Sequence, residues 1–314
     1  MPMEKPASGI ILADKPEGIS SQLLVSRFKR IYGTKSAGHT GTLDPIATGL
    51  NLICFGRATK VCEYITGCDK AYIACMQLGL ETDTGDTTGT ATAESSIRCT
   101  AADVAAILPR FTGELDQIPP VYSAIKVGGR KLYELARAGK APEPEPRHVT
   151  IYALELLEAD EPAQRFTLRI TCSKGTYIRS LCRDIGRALN TFGTMAALRR
   201  TVVGAFSVSD ALTPDALAER VAAGDYSFVL PVDAAFAQLG RMTLNAKGER
   251  FLKTGLDVPA ACASEAPGNP SGRQRFYAAS GEFLAVGIVQ GEALNIEKRF
   301  FVTEPVKQTG ETAF

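Results

Sequence analysis

The segment from Gly38 to Gly49, Gly-His-Thr-Gly-Thr-Leu-Asp-Pro-Ile-Ala-Thr-Gly, gathers four Gly or Pro residues, one of the chain's two histidines and a single carboxylate. A simple turn needs one or two such breakers. Four of them fix backbone angles on both sides of Asp44, and Pro45 pushes Asp44 itself into an extended conformation. The carboxylate is therefore expected on a stiffened loop, presented as a nucleophile is. A second concentration lies between residues 165 and 200, where eight Arg or Lys face one acid, Asp184. Of these, Arg179, Arg183 and Arg187 fall four apart, so on a helix they would line one face able to track successive phosphates.

The elements that must hold these residues follow from pattern. Ile10 to Ala13 reads as a strand closed by Lys15-Pro16-Glu17-Gly18, and Ser20 stands where an N-cap would precede the helical spacing of Leu23, Leu24, Phe28 and Ile31. Leu50 to Phe55 reads as a buried strand, and Ala58 to Thr66 as a short helix. In the strand Lys70 to Leu80, Tyr72 shares a face with Ala74, Met76 and Leu78. A loop is expected over Thr82–Gly89, a helix capped by Thr100 to about Phe111, and a Gly128-Gly129 join before a helical stretch at Leu132. Paired strands at Val149–Glu158 and Phe166–Cys172 lead into a helix from about Tyr177 to Leu189. The stretch Pro259 to Gly272 reads as a loop or insertion. Three short strands, Phe276–Ala279, Phe283–Gln290 and Ala293–Phe301, turn at Gly281 and Gly291. Together these elements predict an α+β chain.

Composition bounds the function. At 314 residues and 45% hydrophobic content, two domains are expected. Lys plus Arg total 35 against 34 Asp plus Glu, so any nucleic-acid footprint must be a local patch. The eight cysteines include no Cys-x-x-Cys pair and no nearby histidine set, which points to reduced structural thiols, no metal and a cytoplasmic location. The first residues lack the apolar run of a signal peptide, and no stretch approaches a membrane span. Walker, Rossmann and nucleophile-elbow motifs are missing, so the chemistry is expected to run on side chains alone.

The Gly38–Gly49 segment resembles the catalytic motif of the TruB family of pseudouridine synthases, in which the aspartate is essential. Further segments match in family order across roughly residues 9 to 210. They are Lys15-Pro16, Asp69-Lys70-Ala71-Tyr72, Ile118 to Lys126 with Lys131-Leu132-Tyr133, Ser173 to Arg179, and Leu198-Arg199-Arg200-Thr201 followed by Val203 to Phe206. The resemblance implies a catalytic domain over 1–238, built on a mixed, mainly antiparallel sheet with flanking helices and loops. It also implies a small β-rich, PUA-like RNA-binding domain over 239–314. The implied activity is isomerisation of uridine in the T-loop of tRNA to pseudouridine, without a cofactor.

By position, Asp44, Tyr72 and Arg179 inherit the catalytic roles, with the Tyr72 ring stacking on the target base and its hydroxyl helping to move the C5 proton. Arg179 would pair with Asp44 and keep it ionised against burial. Substrate contacts are expected from His39, Lys15, Tyr177, Leu198, Lys174 and Arg183, with His39 stacking where the flipped nucleotide leaves space. Leu52 departs from a family proline, and little matches beyond Leu239. Two other functions stay open: a non-catalytic tRNA-binding or folding factor, and a synthase of the same fold acting on another RNA. The tRNA T-stem loop is the one partner expected, for a monomer with no protein partner and no membrane contact.

Overall fold

The computed structural model describes residues 4–123, 125–142, 144–264 and 272–301. The chain divides into two compact units. The first holds Ile11–Ile53 and Cys62–Phe228; the second holds Glu4–Ile10, Cys54–Val61 and the segment from Val229 onward. The break expected after residue 238 therefore falls inside the second unit, because segments far apart in sequence pair there. Ile10 and Leu230 exchange backbone hydrogen bonds of 2.9 Å in both directions, Arg57 Nη1 donates to the Phe300 carbonyl at 3.2 Å, and Lys60 Nζ to that of Arg299 at 3.1 Å. Among the described residues no helix is long and apolar enough to cross a membrane.

The main sheet runs, in spatial order, Gly9–Lys15, Thr48–Phe55, Gly193–Val203, Lys70–Leu78, Arg165–Cys172, Arg147–Asp160 and Gly113–Gln117. Ala37–His39 adds to Thr48–Phe55, and Phe206–Ser207 to Gly193–Val203. Gly193–Val203 pairs parallel with Thr48–Phe55 and antiparallel with Lys70–Leu78. The α+β class and the mainly antiparallel sheet hold.

Period-two patterning sets which face is covered. Along Lys70–Leu78 alternate residues are buried, and Tyr72, Ala74, Met76 and Leu78 share one core with Phe166, Leu168, Ile170 and Cys172 of the neighbouring strand. Helix Ile178–Ala188 lays Ile178, Leu181, Cys182 and Ile185 on that core. The approach is backbone-close. A Cβ on Gly186 would lie 2.4 Å from Gly193 N and 2.5 Å from the Phe192 carbonyl carbon. Gly186→Ala is therefore expected to lower stability by about 2 kcal/mol despite alanine's better helix propensity. Urea unfolding checks it, and an unchanged midpoint would mean the helix can shift freely.

Some local expectations change. The stretch 58–66 is two pieces, a 3-10 helix Gly56–Val61 and an α-helix Cys62–Thr66, with Thr59 Oγ1 hydrogen-bonded to the Gly56 carbonyl at 2.9 Å. The Thr100 helix spans Ala101–Ile107, closed by a reciprocal capping box with Asp103, and continues as a 3-10 turn to Phe111.

The tail holds more than three strands. Arg273–Tyr277, Phe283–Gln290 and Ala293–Arg299 are joined by Gly240–Thr243 and Val258–Pro259 into a five-stranded sheet. A helix Ala246–Thr254, capped by Asn245, packs Leu252 into the same core. Within the expected insertion, residues 265–271 lie outside the described residues.

Candidate active site

The Asp44 loop is pinned from beneath. Leu43 N donates to Ser21 Oγ at 2.8 Å, Ser21 Oγ donates back to the Leu43 carbonyl at 3.2 Å, and Asn51 Nδ2 joins the same hydroxyl at 2.8 Å. The Asp44 carbonyl accepts from Ala47 N at 3.0 Å, closing a turn through Pro45, whose own carbonyl accepts from Gly18 N at 2.8 Å. With its backbone held so, the side chain of Asp44 stays one-third exposed at 33%. A stiff loop presenting a carboxylate is what its Gly and Pro content predicts.

Arg179 comes from the first turn of helix Ile178–Ala188 and is 6% exposed. Its Nε lies 3.0 Å from Asp44 Oδ2, and Nη2 reaches Oδ1 at 3.5 Å. The remaining donors are spent on backbone, Nη1 on the Thr84 carbonyl at 2.8 Å and Nη2 on that of Tyr122 at 2.9 Å. One guanidinium thus holds three distant segments. Asp86 sits close by, buried, its Oδ1 accepting from Thr88 N and Thr84 Oγ1, each at 3.0 Å.

Burial pushes the Asp44 carboxyl above the usual range, Arg179 pulls it back, and the charge of Asp86 adds to the rise. The guanidinium limits the upward shift without cancelling it, so the net direction is opposite to that of a simple ion pair. Tyr72 and Leu198 belong to one apolar cluster with Leu43 and Ile46, which flank Asp44 in the loop, and with Ile178, which precedes Arg179. Burial raises the Tyr72 phenol, opposed by the charge of Arg200.

Two segments of the chain match models of a single family. Residues 29–178 match the TruB family pseudouridylate synthase N-terminal domain, and residues 179–237 the tRNA pseudouridylate synthase B C-terminal domain. The tRNA pseudouridine synthase B of Cupriavidus metallidurans is 40% identical over 297 residues, covering 92% of this chain and 93% of that protein. The chain belongs to the TruB family of pseudouridine synthases. It is accordingly an isomerase. The enzyme of the same name from Burkholderia lata is 44% identical over 272 residues, 87% of this chain and 84% of its own. The fold of the synthase is shared with the archaeal box H/ACA sRNP Nop10–Cbf5 complex, at a TM-score of 0.72 and 23% identity. That match covers 96% of this chain and 88% of the other.

The other sequence-predicted residues of the synthase divide by location. Leu198 is buried in the cluster beside Tyr72. His39 ends its short strand at the edge of the loop, with Nδ1 buried and lacking a hydrogen-bond partner among the described residues; burial and the charge of Arg200 lower its pKa. Tyr177 stands at the N-cap of the Arg179 helix, its backbone N–H donating to Gln117 Oε1 at 2.7 Å, and Lys174 is exposed in the preceding loop.

Lys15 does not point outward. It is 0% exposed, and Nζ donates to the carbonyls of Ile19 at 2.7 Å, Pro16 at 2.9 Å and Pro45 at 3.4 Å, with burial drawing its pKa down to about 8. It clamps the Asp44 loop from inside. Nor do the three helix arginines form a free phosphate rail. Arg183 Nε pairs with Asp184 at 2.8 Å while its Nη2 donates to the Ile118 carbonyl at 3.1 Å, and Arg187 pairs with Glu81 at 2.8 Å. One further buried cation is Arg200, which its motif does not mark as a site residue. The alternation that turns Leu198 inward turns Arg200 inward as well.

Proposed function

We propose that this synthase acts on tRNA, converting a T-loop uridine to pseudouridine, with Asp44, Tyr72 and Arg179 as its catalytic residues. The observation that carries this is the partly exposed Asp44 carboxylate, held by Arg179 Nε at 3.0 Å, with the chain neighbours of both residues packed in one apolar cluster with Tyr72 and Leu198. The relatives' shared name, tRNA pseudouridine synthase B, supports the choice of substrate.

The isomerisation balances without oxidant or reductant. The N1–C1′ bond breaks, the uracil turns, a C5–C1′ bond forms, the C5 proton leaves and N1 gains one. No cofactor is therefore called for by the stoichiometry. Extruding the base from the tRNA stack costs a few kcal/mol, supplied by contacts to backbone and loop. Asp44 provides the anion that attacks C1′, adds to C6 or stabilises a glycal; all three routes need it ionised and fixed. Tyr72 stacks on the ring and assists loss of the C5 proton. Leu198 shapes the base pocket, and His39, Lys174 and Tyr177 meet the RNA at the rim. We read the five-stranded unit as an RNA-binding module, and the enzyme as a cytoplasmic monomer.

The test is incubation with unmodified tRNA transcript followed by carbodiimide primer extension. A stop at one T-loop uridine is expected; a stop elsewhere, or none, would overturn the substrate. A pH dependence follows as well. Asp44 must be deprotonated to act, and its carboxyl lies above the ordinary range, so activity falls as pH drops through that raised value. Single-turnover rates against pH should show an acid limb above the value of about 3.9 expected for an exposed aspartate. A limb at or below that value would contradict the burial argument.

A further inference from the structure

Arg200 is a buried guanidinium with no acidic partner among the described residues. It lies in strand Gly193–Val203 at 2% exposure. Its Nε donates to the Leu50 carbonyl at 2.7 Å and its Nη2 to the Gly41 carbonyl at 3.1 Å. Desolvating such a cation costs several kcal/mol, which two neutral acceptors offset only in part, so an aliphatic side chain would serve packing better. The placement explains why an arginine stands here. Gly41 and Leu50 bracket Asp44 in sequence, and Arg200 is the register partner of Tyr72 on the adjacent antiparallel strand. Directly opposed residues on one face bring their side chains together.

Neighbouring glycines show how closely Arg200 is packed, Gly49 against its backbone and Gly41 against its guanidinium. Gly49, at φ +97°, lies against Arg200 itself, since a Cβ there would meet the Arg200 carbonyl oxygen at 2.4 Å. A Cβ on Gly41 would sit 3.3 Å from Arg200 Nη1. The Tyr72 phenol also interacts electrostatically with the Arg200 guanidinium, the one influence that opposes the lowering of the arginine's pKa by burial.

We propose that Arg200 is a positioning residue. By bonding both flanks of the Asp44 loop and facing Tyr72 across the sheet, its guanidinium fixes the phenol relative to the carboxylate at the separation the isomerisation requires. The inference rests on the roles proposed above for Tyr72 and Asp44. A lysine cannot replace the fork, because one nitrogen cannot hold the carbonyls of both Leu50 and Gly41 while facing Tyr72. A displacement of about 1 Å at such a site costs roughly a hundredfold in rate.

The test is a double-mutant cycle on the full chain, measuring single-turnover tritium release from tRNA carrying 5-tritiated uridine, with tRNA affinity measured alongside. Arg200→Lys is expected to slow the step about a hundredfold with affinity within about threefold. In a Tyr72→Phe background the same change is expected to cost less than about threefold, because the group it positions is gone. Losses that multiply, or an Arg200→Lys enzyme at the wild-type rate, would overturn the inference. A Tyr72→Phe enzyme at the wild-type rate would instead overturn the role given to Tyr72. If Arg200→Lys does not fold, Gly41→Ala carries the same cycle, since its methyl displaces the guanidinium end by a few tenths of an ångström. It is expected to slow the wild-type background and leave the Tyr72→Phe background unchanged, and equal losses in both would overturn the proposal.

Discussion

Asp44→Asn is expected to abolish pseudouridine formation, with a rate loss of at least about 10⁴-fold, some 5.5 kcal/mol of transition-state stabilisation. The substitution is nearly isosteric and leaves the loop's supports in place. Ser21, Lys15 and Gly18 hold the loop through the backbone of Leu43 and Pro45, not through the carboxylate. Arg179 keeps its bonds to the carbonyls of Thr84 and Tyr122, so the buried cation retains partners. What disappears is the anion, and asparagine cannot regenerate it at any pH. tRNA affinity is expected to stay within about threefold, because phosphate contacts supply most of such binding. Tritium release and filter binding on the same preparation separate the two quantities. Retained turnover would move the chemistry to another residue, and lost binding without an independent rate loss would make Asp44 a docking group.

Several of these residues are visible from the sequence because their signals are local. The breaker density around Asp44, the period-two placement of Tyr72 and the start of the Arg179 helix need only a few neighbouring residues to interpret. Partners brought from elsewhere are not visible in that way. Arg187 looks like a solvated cation until Glu81 arrives from a distant part of the chain, and Arg183 until the Ile118 carbonyl does. Lys15 looks like a strand-ending surface lysine, yet the turn and the Asp44 loop close over its ammonium. The division at Val229 escapes composition for the same reason, since it depends on Ile10, Arg57 and Lys60 pairing with a segment more than 150 residues away. The net direction of the Asp44 shift also depends on assembly, because the burial that raises it and the nearby Asp86 exist only in the folded chain.

Arg179→Lys keeps the positive charge and removes the geometry, and it is expected to reduce the single-turnover rate by about 10²- to 10³-fold. The guanidinium makes two contacts to Asp44, at 3.0 and 3.5 Å, and two to the carbonyls of Thr84 and Tyr122, at 2.8 and 2.9 Å. A single ammonium can keep the attraction to the carboxylate or satisfy the carbonyls, but it cannot span all of them. A buried carbonyl left without its donor costs about 1–3 kcal/mol, so a modest fall in melting temperature should accompany the rate loss. The acid limb of the rate profile discriminates between charge and geometry. If charge is what matters, lysine holds the limb near its wild-type position and the rate recovers at higher pH. If geometry is what matters, the limb stays but the plateau remains low. The fixed, side-on arrangement of Nε against Oδ2 favours the second outcome, and a plateau restored to the wild-type level would reduce Arg179 to a counterion.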